Sequence, residues 1–410
     1  MQKILVIGYV WPEPVSSAAG SHMMSILRLF KQQGWHIEFA SPAQQSEHSV
    51  DLEHEGITSQ NIALNCDSFD AYVADYQPDI VMFDRFMMEE QFGWRVAKNS
   101  PNALKILDTE DLQCLRHARH QALKAGRKMT KGDLFNDIAK REIAAILRCD
   151  IALIISSFEM ELLNDTFKVD SALLHYLPFM VDLEKCPEKT TAFSKRKNFI
   201  MIGNFRHAPN WDAVLYMQTI WPLIKSKIAD AECHIYGAYA PPKATALNNP
   251  KAGFIIKGRA ENVFSVMEQA RVCIAPLRFG AGIKGKLLDA MIMQTPSVTT
   301  PVGSEGMCSN TGSWPGAVVT ESNGLADAAV NLYLNQDEWQ KTQKNAMALL
   351  EARFDKDILG EQLIEKIVEV KKNIVEHRLN NFTGGMLKHH TMMSTKYMSQ
   401  WIAQKNKAKN

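Results

Sequence analysis

At 410 residues the chain exceeds what one hydrophobic core ordinarily serves, and two domains of about 150–200 residues each are the expected arrangement. Hydrophobic residues make up 46% and charged residues 22%, which marks a globular chain rather than a disordered one. A formal net charge of +1 offers nucleic acid no global field, and seven scattered cysteines without a C-x-x-C pair argue against zinc or dithiol chemistry. Buried free thiols in a reducing cytoplasm account for them.

The chain opens on Lys3-Ile-Leu-Val-Ile-Gly8, followed by Trp11-Pro12-Glu13-Pro14. That apolar run is too short for a signal peptide and has no cleavage-like site, so it reads as a buried first strand. No run approaches the ~20 apolar residues of a membrane span. The loop Ser16-Ser17-Ala18-Ala19-Gly20 leads into a helical pattern over 22–33. Its backbone N–H groups, with Gly20, are candidates to face a phosphate or an acceptor. Strands are expected over 36–40, 79–84, 103–107 and 150–155, with a helix over 140–147. Two of these strands run into charged clusters: Asp84-Arg85, and Asp108-Thr109-Glu110-Asp111 with Arg116, His117 and Arg119 downstream. Carboxyl ends of strands face the ligand crevice in doubly wound folds. Asp84, Arg85, Glu110, Asp111 and His117 are therefore candidate acceptor-facing groups. Asp108–Asp111 equally suits a helix N-terminus, with Asp108 or Thr109 as its cap.

The stretch 177–197, with Pro178 and Pro187, reads as a linker. A second series of strands is expected over 198–203, 232–236, 253–257, 271–276, 297–300 and 317–320, with a helix over 211–228. Its first member, Asn198-Phe-Ile-Met-Ile-Gly203, echoes the opening strand: each ends in Gly, then a loop, then a helix. Such alternation argues for parallel sheets covered by helices. The expected fold class is α/β, with two Rossmann-like doubly wound domains facing a central cleft. Helical patterns follow over 324–335, 338–354 and 357–376. From His377 to Asn410 there is no Asp or Glu, while Arg378, Lys388, Lys396, Lys405, Lys407 and Lys409 interleave with Phe382, Tyr397 and Trp401. Gly384-Gly385 interrupts the apolar pattern. A frayed basic tail is the plainer expectation, and a peripheral anchor on an anionic membrane the sharper one. The expected boundaries are 1–185 for the acceptor-side domain, 186–355 for the donor-binding domain, 356–376 for a helix returning to the first domain, and 377–410 for the tail.

The most informative segment is Ala275-Pro276-Leu-Arg278-Phe-Gly280-Ala-Gly282-Ile-Lys284-Gly285-Lys286-Leu-Leu-Asp289-Ala-Met291. A strand ends at Pro276, a Gly-rich loop follows, and a helix is expected to begin near Ile283. Loop N–H groups and a helix N-terminus favour anions, and glycines let the backbone approach a ligand. Arg278, Lys284 and Lys286 add cations. The combination suits a diphosphate, whose negative charge grows as it leaves. Asp289 lies on the helical face of Lys286 and can accept from ribose hydroxyls. The plainer alternative is a solvated loop with a surface Lys–Asp pair. No G-x-G-x-x-G follows Gly8 or Gly203, which argues against a classical dehydrogenase.

This segment, with Gln294-Thr-Pro-Ser-Val-Thr-Thr300 and Val302-Gly303-Ser304-Glu305-Gly306, resembles the donor-site signature of retaining GT-B glycosyltransferases of family 4, the glycosyl transferases group 1. The resemblance extends over the C-terminal half. Gly203–Asp212 looks like the first loop of the donor domain, with Arg206 nearest to the family's basic residue there. Gly258-Arg259 looks like the loop against the base. The N-terminal half matches through Gly8 and the loop ending at Gly20.

The resemblance implies transfer of a sugar, with retention, from a nucleoside-diphosphate sugar to a glycan, lipid-linked or similar acceptor. It implies no cofactor and no metal; the expected setting is the cytoplasm, with peripheral contact at the inner face of the membrane if the basic tail serves as an anchor. The implied donor site comprises Gly20, Gly203, Arg206, Gly258, Arg259, Gly280, Gly282, Lys284, Lys286, Asp289, Gly303, Ser304, Glu305 and Gly306. Arg278, Lys284, Lys286, Glu305 and Asp111 are its candidate catalytic groups. In such enzymes the leaving phosphate is described as taking the acceptor proton on the same face, so the protein must stabilise charge and position the acceptor. The family's sugar-side acid falls here on Ala281, which moves attention to Glu305, and its ribose-side acid is the shorter Asp289. The same fold admits a sugar-nucleotide epimerase, or a catalytically silent sugar-nucleotide- or glycan-binding module.

Overall fold

The computed structural model describes residues 2–188, 190–308 and 314–407, so Lys409 of the basic tail lies outside the described residues. The first sheet comprises β1 Lys3–Ile7, β2 His36–Ser41, β3 Thr58–Asn61, β4 Ile80–Asp84, β5 Leu104–Asp108, β6 Ile151–Ile154 and β7 Leu174–Tyr176. Their order is β3-β2-β1-β4-β5-β6-β7. The second sheet comprises β8 Lys197–Ile202, β9 Cys233–Tyr236, β10 Phe254–Gly258, β11 Ala270–Ala275, β12 Ser297–Thr299 and β13 Gly316–Val318. Their order is β10-β9-β8-β11-β12-β13. Neighbouring strands pair in parallel, as between β1 and β4 and between β11 and β8. The order reverses between β1 and β4 and again between β8 and β11. A crevice opens at the carboxyl ends of strands at each such switch point.

Side chains along a strand alternate between faces. Leu5, Ile7, Phe83 and Leu107 accordingly join one core layer, and Ile4, Val6, Met82 and Ile106 the other. Helices cover both layers, which is why these strands read as unbroken apolar runs.

The structure departs from expectation where that pattern is weak. The strands β3 and β7 are edge strands; Thr58-Ser-Gln-Asn61 is polar and mostly exposed, so it carries no apolar signal. The first helix starts at Ala18 rather than His22, because the Ser17 hydroxyl caps it by accepting from Gly20 N at 3.0 Å. Gly20 thus lies in the first helical turn, not in a loop before it. The acids at 108–111 do not cap a helix: Gln113–Lys124 begins after Leu112, and Glu110 takes φ +60° in the loop before it.

The chain crosses between the domains twice, and the crossings are tied together. Val181 N donates to Phe354 O at 2.7 Å, Lys356 N donates to Val181 O at 3.0 Å, and Lys356 pairs with Asp182 at 2.8 Å. The helix Lys356–Lys372 then buries Leu359, Leu363, Ile367 and Val370 against Ile4, Val6 and Leu27.

The frayed tail is a correction: 382–407 is helical and packs on the first domain. Gly384 is no breaker. It sits where the chain crosses the Leu147 carbonyl, and a Cβ there would lie 2.0 Å from that oxygen. Asn381 Nδ2 donates to the same oxygen at 2.7 Å, Arg95 donates to Ser399 Oγ at 2.9 Å, and Arg378 donates twice, at 2.8 Å, to the buried Asp150 carboxylate. These contacts are tertiary and leave no periodic trace. Among the described residues no helix is long and apolar enough to cross a membrane. The cysteines are free, and five of them are buried.

Candidate active site

Loops that follow the strands of both sheets meet between the domains. Tyr239 Oη donates to Glu13 at 3.1 Å, Arg116 Nη1 lies 2.9 Å from His207 Nε2, and Arg119 pairs with Glu305 at 2.7 Å.

In the second sheet β8 and β11 are adjacent, so the helices after them, Ala208–Lys225 and Gly285–Ile292, start close together. The second begins two residues later than expected from its sequence. Lys286 Nζ joins the two starts by donating to Asn210 Oδ1 at 2.6 Å. Burial lowers its pKa to about 8. Burial also raises Asp289 to about 7, partly offset by Lys286. A buried ammonium beside two helix N-termini is poorly neutralised and favours an incoming anion.

The other two cations do not join it. Lys284 folds back and donates to Gly282 O at 2.5 Å and Ala281 O at 3.2 Å. Burial brings it to about 8 as well, against the pull of Glu305 and Glu159. Arg278 turns to the flank, where its Nε donates to Asp212 at 2.9 Å and its guanidinium lies 4.9 Å from the Tyr216 ring centroid. A carboxylate and an aromatic face one turn apart on a helix satisfy its planar fork better than an open loop does.

Glu305, expected beside the donor sugar, is held by Arg119 through two 2.7 Å bonds; Arg119 also donates to Gly280 O at 2.8 Å. Gly303 and Ser304 lie in the short helix Pro301–Ser304, and Gly306 O accepts from Ser157 Oγ at 3.4 Å. Arg206 is exposed, 3.6 Å from the ring centroid of Tyr239. Gly203 packs on the Asn210 side chain, Gly258 O accepts from Gly237 N at 2.8 Å, and Arg259 is exposed beyond it.

On the opposite side, Asp84 accepts from Tyr9 N at 3.0 Å and lies 3.5 Å from Arg85. Asp108 accepts from Glu110 N at 3.1 Å. All three acids are buried. Burial, then Asp84, raises Asp108 to about 7; burial, then Asp108, drives Glu110 upward. Arg85 loses hydration too, but Asp84, Glu110, Asp111 and Asp108 surround it and hold its charge above the ordinary range. Burial and the neighbouring acids together push Asp108 and Glu110 towards their neutral forms. Asp111 lies at the edge of this cluster, where it pairs with Arg116 at 3.2 Å, and His117 sits apart, partly exposed on its helix.

Glu159 escaped the sequence reading. Fully buried, it accepts from Gly282 N at 2.7 Å and Leu112 N at 3.2 Å, bridging the glycine-rich loop after β11 to the first domain. Burial, then Asp111, raises it to about 8. The pattern Ser156-x-x-Glu159 carries a signal, that of a capping box, but Ser156 makes no side-chain cap and the glutamate reaches across the cleft instead. Arg119 and Asn210 were in view in the sequence but without these partners. Among the described residues no group of His, Cys, Asp or Glu is arranged to hold a metal ion.

Two facing α/β domains, each built on a parallel sheet with its own switch point, define the GT-B fold. Residues 196–335 match the family model of glycosyl transferases group 1, and the two parallel sheets with their helices give the whole chain the GT-B fold. Solved structures agree in fold. The chain is similar to sucrose-phosphate synthase from Thermosynechococcus elongatus, with 15% identity, 90% of this chain and 99% of that one covered, and TM-score 0.67. It is similar to HepE of Anabaena in complex with UDP-glucose, with 12% identity, 90% and 100% covered, and TM-score 0.69. A glycosyltransferase from Rickettsia africae matches with 14% identity, 91% and 98% covered, and TM-score 0.63. No curated protein sequence matches the chain.

Proposed function

We propose that the chain moves a hexose or related sugar from a nucleoside diphosphate, UDP first among those to test, to a glycan or lipid-linked acceptor. The observation that carries the reading is Lys286, whose buried ammonium bridges the starts of two helices at the switch point of the second sheet. A diphosphate there neutralises the lysine and meets both helix N-termini, and its growing charge is stabilised as the sugar leaves. Asp289, on the same helix, takes the ribose hydroxyls. Lys284 joins the diphosphate by exchanging its loop carbonyls for phosphate oxygens. The Asp84, Asp108, Glu110 and Arg85 cluster orients acceptor hydroxyls, with Asp111 at its edge. The solved HepE complex with UDP-glucose supports the choice of base. We assign 1–185 to the acceptor side and 186–355 to the donor side.

The C-terminal helix leaves Phe382, Met386, Tyr397, Met398 and Trp401 exposed, and Lys405 lies exposed on the same helix. Its face suits an anionic membrane surface at the cytoplasmic side, where a lipid-linked acceptor would be met.

Thermal shift with UDP-, GDP- and ADP-sugars tests the donor. One of them should stabilise the wild type, and Lys286→Ala should abolish the shift. If no nucleotide stabilises the protein, the reading fails. Transfer assays on glycan and lipid-linked acceptors then test turnover; binding without transfer to any acceptor would leave only a sugar-nucleotide-binding module.

A further inference from the structure

A second basic site lies at the other end of the first sheet. Lys105 sits near the start of β5, three residues before the strand's last position, and is 6% exposed. A cavity of about 230 Å³ opens above it, between the helix Phe86–Asn99 and the C-terminal helix. Glu89, Trp94, Lys105, Arg148, Lys388 and Lys396 line it. Arg148 already neutralises Glu89, with Nε–O distances of 2.9 and 3.0 Å. Among the described residues, Lys105, Lys388 and Lys396 have no ion-pair partner. Three ammonium groups thus share one cavity whose carboxylate is spent. Burial, then the nearby Lys388, holds the Lys105 pKa down to about 8. Such crowding costs free energy until an anion enters.

We propose that this pocket binds a phosphate monoester, carried either by a soluble metabolite or by the head of an anionic lipid. The volume suits a phosphate with a short attachment rather than a whole nucleotide sugar. Met393 also lines the cavity, on the helix that exposes Phe382, Met386 and Trp401, so an acyl chain leaving the pocket would meet apolar side chains. The lipid source rests on the membrane contact proposed above; phosphate binding itself does not, and neither depends on the donor site.

The test has two arms. Titration calorimetry with glycerol 3-phosphate reads soluble binding. Flotation with phosphatidylcholine vesicles, with and without phosphatidic acid, reads lipid binding. Both use a Lys286→Ala background, so that the donor cleft does not contribute, with the pocket otherwise wild type or carrying Lys105→Met, Lys388→Met or Lys405→Ala. Each pocket substitution should weaken binding by about tenfold or more, while Lys405→Ala, an exposed charge on the same helix, leaves glycerol 3-phosphate binding unchanged. Lys105→Met should also raise the melting temperature of the free protein, because a buried charge is gone; Lys388→Met, on a partly exposed residue, reports binding independently of the core. Binding of glycerol 3-phosphate alone identifies a soluble ligand, and capture by phosphatidic acid vesicles alone a lipid. The proposal is overturned if neither probe binds, or if both pocket variants bind as wild type does.

Discussion

At Lys286, electrostatics and hydrogen bonding oppose each other. Burial disfavours its charge, and one amide oxygen at 2.6 Å does not restore it, so the ammonium of the free protein titrates near 8. A diphosphate needs that charge. Affinity for UDP should therefore hold below pH 8 and fall between pH 8 and 9, well before an ordinary lysine titrates. Calorimetry across that range checks the sign, and a flat profile would contradict it. Lys286→Ala should cost about 2–3 kcal/mol of UDP binding without loss of fold stability. Glu159 supplies the complementary case. Its folded pKa of about 8 lies above the ordinary carboxylate value, so it contributes stability in full only below that ordinary value and loses it as pH rises through 8. Glu159→Gln stays neutral and keeps an acceptor for Gly282 N. Its urea midpoint relative to wild type should improve from pH 5 to pH 8.

Among the elements, the glycine-rich loop after β11 and the C-terminal helix are both held by close backbone approach. Gly282 adopts φ +63°, and a Cβ there would lie 2.9 Å from Asp111 Cβ. Gly282→Ala should cost about 1–3 kcal/mol through backbone strain and push the loop from the first domain. Urea denaturation reads the first effect and UDP affinity the second. The C-terminal segment depends on Asp150, 1% exposed and paired with Arg378. Arg378→Ala strands that carboxylate and should destabilise by about 3–5 kcal/mol, far more than an exposed charge removal would.

Across the whole molecule, the domains are clasped by Arg119, which grips Glu305 and the Gly280 carbonyl together. The pair is mostly shielded from solvent, at 12% and 17% exposure, so it is worth more than a surface ion pair. Arg119→Ala should open the cleft, raising the radius of gyration in X-ray scattering while changing the melting temperature little. Addition of UDP should then close the variant less than it closes wild type. Equal scattering profiles with and without the substitution would show that the clasp does not set the interdomain angle.

Much of this was legible in the chain itself. Apolar runs such as Lys3–Ile7 announce a strand buried on both faces, because helices on both sides demand apolar side chains at every position. The glycines of 280–285 announce a tight loop after β11, because positive φ and close backbone approach at Gly280 and Gly282 favour that residue. What the sequence by itself determined, then, was the α/β class, the glycine-rich loop after β11 and the family resemblance. Side-chain partners were decided in three dimensions. Arg278 turned to Asp212, Glu305 to Arg119, and Glu159 to Gly282, since a charged side chain takes the nearest group that satisfies it, and that group lies 66, 186 and 123 residues away in these cases. The basic C-terminal segment became a helix for the same reason: Leu147, Asp150 and Arg95 hold it, and no local periodicity records contacts made to another part of the chain.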